Sequence, residues 1–220
     1  YAIYIPHQAR PRRGYGLTLL LHSLSANYNQ YLGTRNQSQF GERAVPSIVI
    51  TPEARGPDLE YEGLGAADVF EVWADVAHRY RLNPAYADIT GYSMGGIGTF
   101  KLAAQFPDLF ARAQPTVGDE ANNDVLASLR NIPVLMWNNS GDELVNVTDY
   151  TKTGSALANL GYRYELDVYV PCPATEAPQK CSPAFPDHLE LAVNDWYAPA
   201  AAFLGTAKVD PNPAHVTYVL

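Results

Sequence analysis

Short apolar runs alternate along the chain with segments in which apolar residues recur at helical spacing. Continuous apolar runs bounded by turn residues are typical of buried parallel strands. The pattern predicts seven strands, at residues 2–5, 17–22, 47–51, 87–91, 111–117, 132–138 and 164–170. Because these strands alternate with helical segments, we expect an α/β fold with a mostly parallel sheet flanked by helices.

Helical periodicity is clearest between residues 65 and 82. One face of this predicted helix carries Val69, Trp73, Val76 and Tyr80. Residues 150–162 and 189–205 also have helical patterns, and stop signals for these helices are Asn83-Pro84, Gly161 and Gly205.

The length and charge of the chain limit its organisation and its partners. Its 220 residues are enough for one domain with a substantial core, so residues 1–220 are expected to form a single domain. With 15 basic and 23 acidic residues, the net charge of −8 argues against nucleic acid and anionic membranes as partners. A small neutral or cationic molecule is the easier partner, and we expect a monomer.

The chain has no apolar run long enough for a transmembrane helix, which needs about 18 residues. It opens without Met, directly in a strand-like segment. We therefore expect a piece of a longer protein.

The two cysteines, Cys172 and Cys181, bracket the proline-rich stretch PCPATEAPQKCSP. A polar segment broken by prolines is a poor place to bury two free thiols, which is the alternative interpretation. We predict a disulfide, and with it a secreted, extracellular protein. The spacing does not match a zinc site, and no metal or cofactor is expected.

The segment GYSMGG places Gly91, Ser93 and Gly95 in the pattern G-x-S-x-G. Small residues can simply mark a tight turn. Here, however, the predicted strand 87–91 precedes the motif and a helical pattern over 95–106 follows it. In that context the motif is typical of a turn that exposes a nucleophilic serine, so Ser93 is the candidate nucleophile.

A serine nucleophile needs a base and an acid, which follow it in the chain order serine, acid, histidine when the motif is of this type. Asp142 lies just after the predicted strand 132–138, where catalytic groups gather in open α/β sheets. Glu143 is the neighbouring alternative. The spacing from Asp142 to Val145 resembles the acid turn of many α/β-hydrolases, which favours Asp142.

Five histidines compete for the role of the base, at positions 7, 22, 78, 188 and 215. Only His188 lies after the last predicted strand and before the last predicted helix, so His188 is the candidate base. Alternatively, His188 is an ordinary residue at the start of a helix. Asp187 beside it is expected to cap that helix with its carboxylate. His215 lies in a C-terminal tail that we interpret as an exit from the domain.

The segment HSLSANYNQY, which follows a predicted strand at His22, resembles the loop that supplies one oxyanion donor in the α/β-hydrolase superfamily. Together with GYSMGG, SGDELV and the late His188, it extends that resemblance over essentially the whole chain. Within the superfamily the chain is similar to secreted esterases related to polyhydroxyalkanoate depolymerases and feruloyl esterases, and to prolyl-oligopeptidase-like catalytic domains.

The resemblance implies the α/β-hydrolase fold and a catalytic triad of Ser93, Asp142 and His188. It also implies an oxyanion hole made by the backbone N–H groups of Met94 and Leu24, with Ser23 as the alternative to Leu24. Many relatives have His-Gly where this chain has His22-Ser23. That departure concerns the oxyanion loop and leaves the serine turn unaffected.

Aromatic residues near the predicted catalytic loops are candidates for substrate contacts. Tyr28, Tyr31, Tyr92 and Trp137 are placed to hold an aromatic acyl group, with core packing as the alternative, above all for Trp137.

The segment between the fifth and sixth predicted strands is too short for a large lid. We therefore expect a serine carboxylesterase with an open cleft for bulky, aromatic or polymeric esters. The alternatives are a prolyl-oligopeptidase-like serine peptidase and a non-catalytic binding module.

Overall fold

A computed structural model describes residues 1–120, 122–170 and 187–219. Its seven-stranded sheet has the order β1-β3-β2-β4-β5-β6-β7. The strands are β1 (Ala2–Tyr4), β2 (Tyr15–Leu21), β3 (Ser47–Thr51), β4 (Leu82–Tyr92), β5 (Ala113–Thr116), β6 (Val134–Asn139) and β7 (Tyr164–Tyr169). Strand β1 pairs antiparallel with β3, whereas every other pair in the sheet is parallel. The expected α/β class and mostly parallel sheet are confirmed.

Seven α-helices lie in the described part of the chain. They are α1 (Arg35–Gly41), α2 (Leu64–Arg79), α3 (Met94–Gln105), α4 (Asn123–Leu126), α5 (Val147–Asn159), α6 (Asp187–Asn194) and α7 (Ala198–Leu204), with a 3-10 helix over Ala127–Asn131. The prediction of a single helix over 189–205 is wrong, because α6 and α7 occupy this segment. The chain breaks at Asp195, which has a φ of 47° and whose carboxylate accepts hydrogen bonds from the N–H groups of Arg35 and Asn36.

All seven predicted strands are present, although β4 begins earlier than the apolar pattern indicates. It starts at Leu82, which pairs with Tyr15 at the start of β2. The pairing of these two strands therefore begins before their apolar central residues. The stop signal at Asn83-Pro84 therefore lies inside β4, and helix α2 already ends at Arg79.

Side chains that alternate along the strands build a core on each face of the sheet. Helices α2, α3 and α5 cover one face, to which β2 contributes Leu19, while α1, α6 and α7 cover the other, to which it contributes Leu20. This alternation explains why β2 and β3 are apolar at nearly every position, since both of their faces are buried.

Arg43 and Asp88 form a buried ion pair. Arg43 Nη1 lies 2.8 Å from Asp88 Oδ2, and both side chains are almost fully removed from solvent. Burial raises the pKa of Asp88 to about 6, against the opposing effect of the Arg43 charge.

The C-terminal tail is bound to the domain, so its interpretation as an exit is wrong. Asn131 donates a hydrogen bond to the carbonyl of His215, and the Arg130 guanidinium donates to the Thr217 hydroxyl, both at 2.8 Å. Across the described ranges, no helix is both long and apolar enough to cross a membrane.

Candidate active site

The G-x-S-x-G segment forms the turn between β4 and α3, as the sequence predicts. Ser93 has a φ of 55° and a ψ of −117°, a strained conformation for a residue other than glycine. Three backbone hydrogen bonds hold it: the Ser93 N–H donates to Thr116 O at 2.9 Å, and its carbonyl accepts from the N–H groups of Gly96 and Ile97.

The glycines of this turn leave no room for a side chain. A Cβ on Gly91 would lie 2.3 Å from the carbonyl oxygen of Gly95, and one on Gly95 would lie 2.2 Å from that of Leu21. The motif is therefore required by the close approach of α3 to the ends of β2 and β4.

His188 lies near the start of α6, and its buried imidazole reaches Ser93. Its Nε2 atom is 3.0 Å from the Ser93 hydroxyl oxygen, and its Nδ1 atom is 2.9 Å from both carboxylate oxygens of Asp142. The structure thus brings together all three side chains that the sequence singles out. In this arrangement the imidazole can take a proton from the serine while the carboxylate fixes the ring.

Asp142 lies in the turn after β6, and backbone donors hold its carboxylate. Oδ1 accepts hydrogen bonds from the N–H groups of Leu144 at 2.9 Å and Val145 at 2.7 Å. This Asx-type turn explains the spacing from Asp142 to Val145, because the turn aims the carboxylate at His188.

Glu143, the alternative acid, faces a different part of His188. Its Oε2 accepts the backbone N–H of His188 at 3.0 Å, whereas the His188 ring contacts Asp142. The choice of Asp142 as the partner of the imidazole therefore agrees with the geometry.

Two backbone N–H groups are candidates for an oxyanion hole. Met94 is the first residue of α3, where the helix dipole favours developing negative charge. On the loop after β2, Gln30 accepts the N–H of Ser23 at 2.7 Å, so this donor is already engaged. Leu24 is 56% exposed, and its role as the second donor stays a prediction.

His22 fixes the start of this loop. It is fully buried, and its ring nitrogens face the carbonyl oxygens of Ser23 at 2.9 Å and of Glu53 at 3.1 Å. Sequence reasoning missed Gln30, whose position within HSLSANYNQY was the only available signal.

The structure contradicts three of the four predicted substrate contacts, Tyr31, Tyr92 and Trp137. Tyr92 and Trp137 are each only 2% exposed, and they pack in the core. The Trp137 indole donates to Asp167 Oδ2 at 2.9 Å, and Tyr92 donates to the carbonyl of His188. Tyr31 is also buried, with its hydroxyl on the carbonyl of Leu21. Only Tyr28 is partly exposed.

Cys172 and Cys181 lie outside the described residues, so their predicted disulfide stays a prediction. Within the described ranges, no group of three or more His, Cys, Asp or Glu side chains is placed to hold a metal ion.

Solved structures with the same architecture include several esterases. A thermostable esterase matches 94% of this chain at a TM-score of 0.75 and 20% identity. An S-formylglutathione hydrolase from Staphylococcus aureus matches 93% at a TM-score of 0.64 and 17% identity. A ferulic acid esterase from Anaeromyces mucronatus, solved with ferulic acid, matches 93% at 0.64 and 14%.

The chain spans 58% of the length of the thermostable esterase, 91% of the S-formylglutathione hydrolase and 83% of the ferulic acid esterase. No protein-family model and no curated protein sequence matches it.

The sheet order, the serine turn between β4 and α3 and these likenesses define the α/β-hydrolase fold. At these identities, the likeness concerns the fold.

Proposed function

We propose that the protein is a serine carboxylic-ester hydrolase that works through an acyl-enzyme. The observation that carries the proposal is the bridging position of His188, with Nε2 at 3.0 Å from Ser93 Oγ and Nδ1 at 2.9 Å from Asp142. The strained Ser93 backbone supports it, because such strain in a non-glycine residue is common at functional sites.

In the proposed first step, Ser93 Oγ attacks the ester carbonyl carbon while its proton passes to His188 Nε2. The carbonyl oxygen becomes an oxyanion, which the N–H groups of Met94 and Leu24 bind. The oxyanion then collapses, the bond to the alcohol breaks, and His188 returns the proton to the leaving alcohol. The acyl group stays on Ser93.

In the second step, His188 takes a proton from water, and the resulting nucleophile attacks the acyl carbon. Collapse of this second oxyanion releases the carboxylic acid and returns the proton to Ser93. Asp142 holds the imidazole in the tautomer with its proton on Nδ1 and stabilises the imidazolium that forms in each half-reaction.

We propose that the site is an open cleft and that its substrates are bulky, aromatic or polymeric esters. Leu24, Leu144 and Leu189 are exposed apolar side chains on the three segments that carry the candidate oxyanion donor, acid and base. Exposed apolar side chains on these three segments favour an apolar acyl or alcohol group in the substrate. The ferulic acid complex of the solved esterase favours an aromatic acyl group, for which Tyr28 is the candidate contact.

Secretion is part of the proposal, and it rests on the predicted pairing of Cys172 with Cys181. Among the residues that the structure describes between β5 and β6, the helical elements are α4 and the 3-10 helix. They pack beside α3, which favours the absence of a large lid in that segment.

The test compares p-nitrophenyl butyrate with a proline-containing peptide p-nitroanilide, together with labelling by a fluorophosphonate. We expect ester hydrolysis to dominate, and labelling to be lost in Ser93→Ala and kept in Ser155→Ala. Ser155 is an exposed helical serine of α5 and serves as the matched control. Faster anilide cleavage would favour the peptidase, and an unlabelled wild-type protein would favour a binding module.

A further inference from the structure

The main chain of His188 is held on both sides by the residues next to its two triad partners. Glu143, which follows Asp142, accepts the His188 N–H at 3.0 Å. Tyr92, which precedes Ser93, donates its hydroxyl to the His188 carbonyl. Asp142 and Ser93 themselves contact the two nitrogens of the ring.

Both contacts act at the beginning of helix α6. His188 is the second residue of α6, where a backbone N–H has no partner within the helix. A carboxylate in this position satisfies the N–H and also interacts favourably with the positive end of the helix dipole. Glu143 therefore fixes the start of α6 from a separate segment of the chain.

The Tyr92 contact lies on the buried side of the same residue. Tyr92 is in the core, and its ring centroid lies 5.8 Å from that of the His188 imidazole. Burial, followed by the charge of Asp142, raises the pKa of Tyr92, so its hydroxyl remains a donor. The hydrogen bond to the His188 carbonyl satisfies the donor of this buried hydroxyl.

These contacts matter for the position of the ring. The distance between His188 Nε2 and Ser93 Oγ depends on where the main chain of His188 lies, since Asp142 fixes the ring's other nitrogen. A displacement of about 1 Å at a reacting group can lower the rate by about 100-fold.

We propose that Glu143 and Tyr92 are positioning residues, which hold the main chain of the base while Asp142 and Ser93 contact its ring. The proposal rests on the proposed function for its effect on turnover. It assigns Glu143 the role of a hydrogen-bond acceptor for the His188 N–H, and not that of a reserve triad acid.

The decisive comparison is between Glu143→Ala and Glu143→Gln. The Gln side chain keeps an oxygen that can accept the His188 N–H, whereas Ala removes the acceptor. For p-nitrophenyl butyrate we expect Glu143→Ala to lower kcat by about 10- to 100-fold with KM nearly unchanged, and Glu143→Gln to keep most of the activity. Tyr92→Phe removes only a hydroxyl and is expected to lower kcat in the same way.

Glu165→Gln is the matched control, because it removes one exposed carboxylate near the start of β7, at the opposite end of the sheet from the site. We expect it to leave kcat and KM unchanged. Circular dichroism establishes that each variant is folded. Fluorophosphonate titration gives the fraction of molecules with a reactive serine. Normal kcat in Glu143→Ala or in Tyr92→Phe would overturn the role of that residue. Equal losses in the Gln and Ala variants would overturn the role of Glu143 as a hydrogen-bond acceptor.

A readout without turnover separates this proposal from the proposed function. The Nδ1 proton of His188 gives a low-field NMR resonance, assigned by its absence in His188→Gln. We expect this proton to exchange with water faster in Glu143→Ala than in wild type or Glu143→Gln. A wild type that is inert towards esters would refute the esterase, while unchanged exchange in Glu143→Ala would refute the positioning.

Discussion

Gly95 lies so close to Leu21 that a Cβ on the glycine would be 2.2 Å from the leucine carbonyl oxygen. This contact joins the first turn of α3 to the end of β2. It brings the turn that carries Ser93 next to the loop that carries Leu24, so two segments far apart in sequence share one site.

Gly95→Ala is expected to destabilise the protein by about 3 kcal/mol or more, because a backbone carbonyl cannot move away as a side chain can. Gly154→Ala is the control within helix α5. There the new Cβ would lie 3.2 Å from the ring of Tyr164, which is partly exposed. The gain in helix propensity offsets this contact, so we expect a change within about 1 kcal/mol. Urea denaturation measures both, and equal losses would contradict the explanation.

Asp142→Asn is expected to lower kcat by about 10⁴-fold, as loss of the acid does in another Ser-His-Asp enzyme. Asn keeps the shape of the side chain but no longer fixes the imidazole tautomer. Ser93→Ala and His188→Ala should be similarly severe and far from additive with it, because the three side chains act as a unit. Steady-state hydrolysis of p-nitrophenyl butyrate measures this. Near-normal turnover in Asp142→Asn would mean that the acid is misassigned.

The pH dependence of stability is expected to contain a contribution from Asp88. Since burial raises its pKa from 3.8 to about 6, the folded chain holds this proton over a range in which the unfolded chain has released it. The free energy of unfolding therefore falls as pH rises from about 4 to about 6.

The side chain introduced by Asp88→Asn cannot ionise. As pH rises over that range, the free energy of unfolding of this variant should increase relative to that of wild type by on the order of 2 to 3 kcal/mol. Denaturation at pH 4 and pH 7 measures the difference, and Asp108→Asn, at an exposed carboxylate, is the control. Parallel pH curves for wild type and Asp88→Asn would rule out this contribution.

The predicted disulfide between Cys172 and Cys181 has a direct measurement. The intact mass without reductant should be two hydrogens lower than with it. Because His188 follows this segment closely in sequence, we expect reduction to lower kcat more than it raises KM. Unchanged kinetics after complete reduction would reject this coupling.

The presence of all seven strands could be predicted, most clearly for β2 and β3, because buried parallel strands are apolar on both faces. The break between α6 and α7 could not, since Asp195 forms hydrogen bonds with residues of α1 that are distant in sequence. Likewise, Tyr92 and Trp137 are aromatic residues next to the catalytic segments in sequence, as substrate contacts often are. Only the packing shows that they are buried. The order of Ser93, Asp142 and His188 was predictable because chain order follows from the fold.

The Ser93–His188 contact joins positions 95 residues apart, and the His188–Asp142 contact joins positions 46 apart. Such distant contacts close large loops, which makes them slow to form during folding. The base also arrives on a helix that covers the opposite face of the sheet from α3. A chain whose sheet has assembled but whose helix α6 has not docked would hold a serine without its general base. During refolding, the return of a reactive serine therefore indicates that helix α6 has docked and that folding is complete.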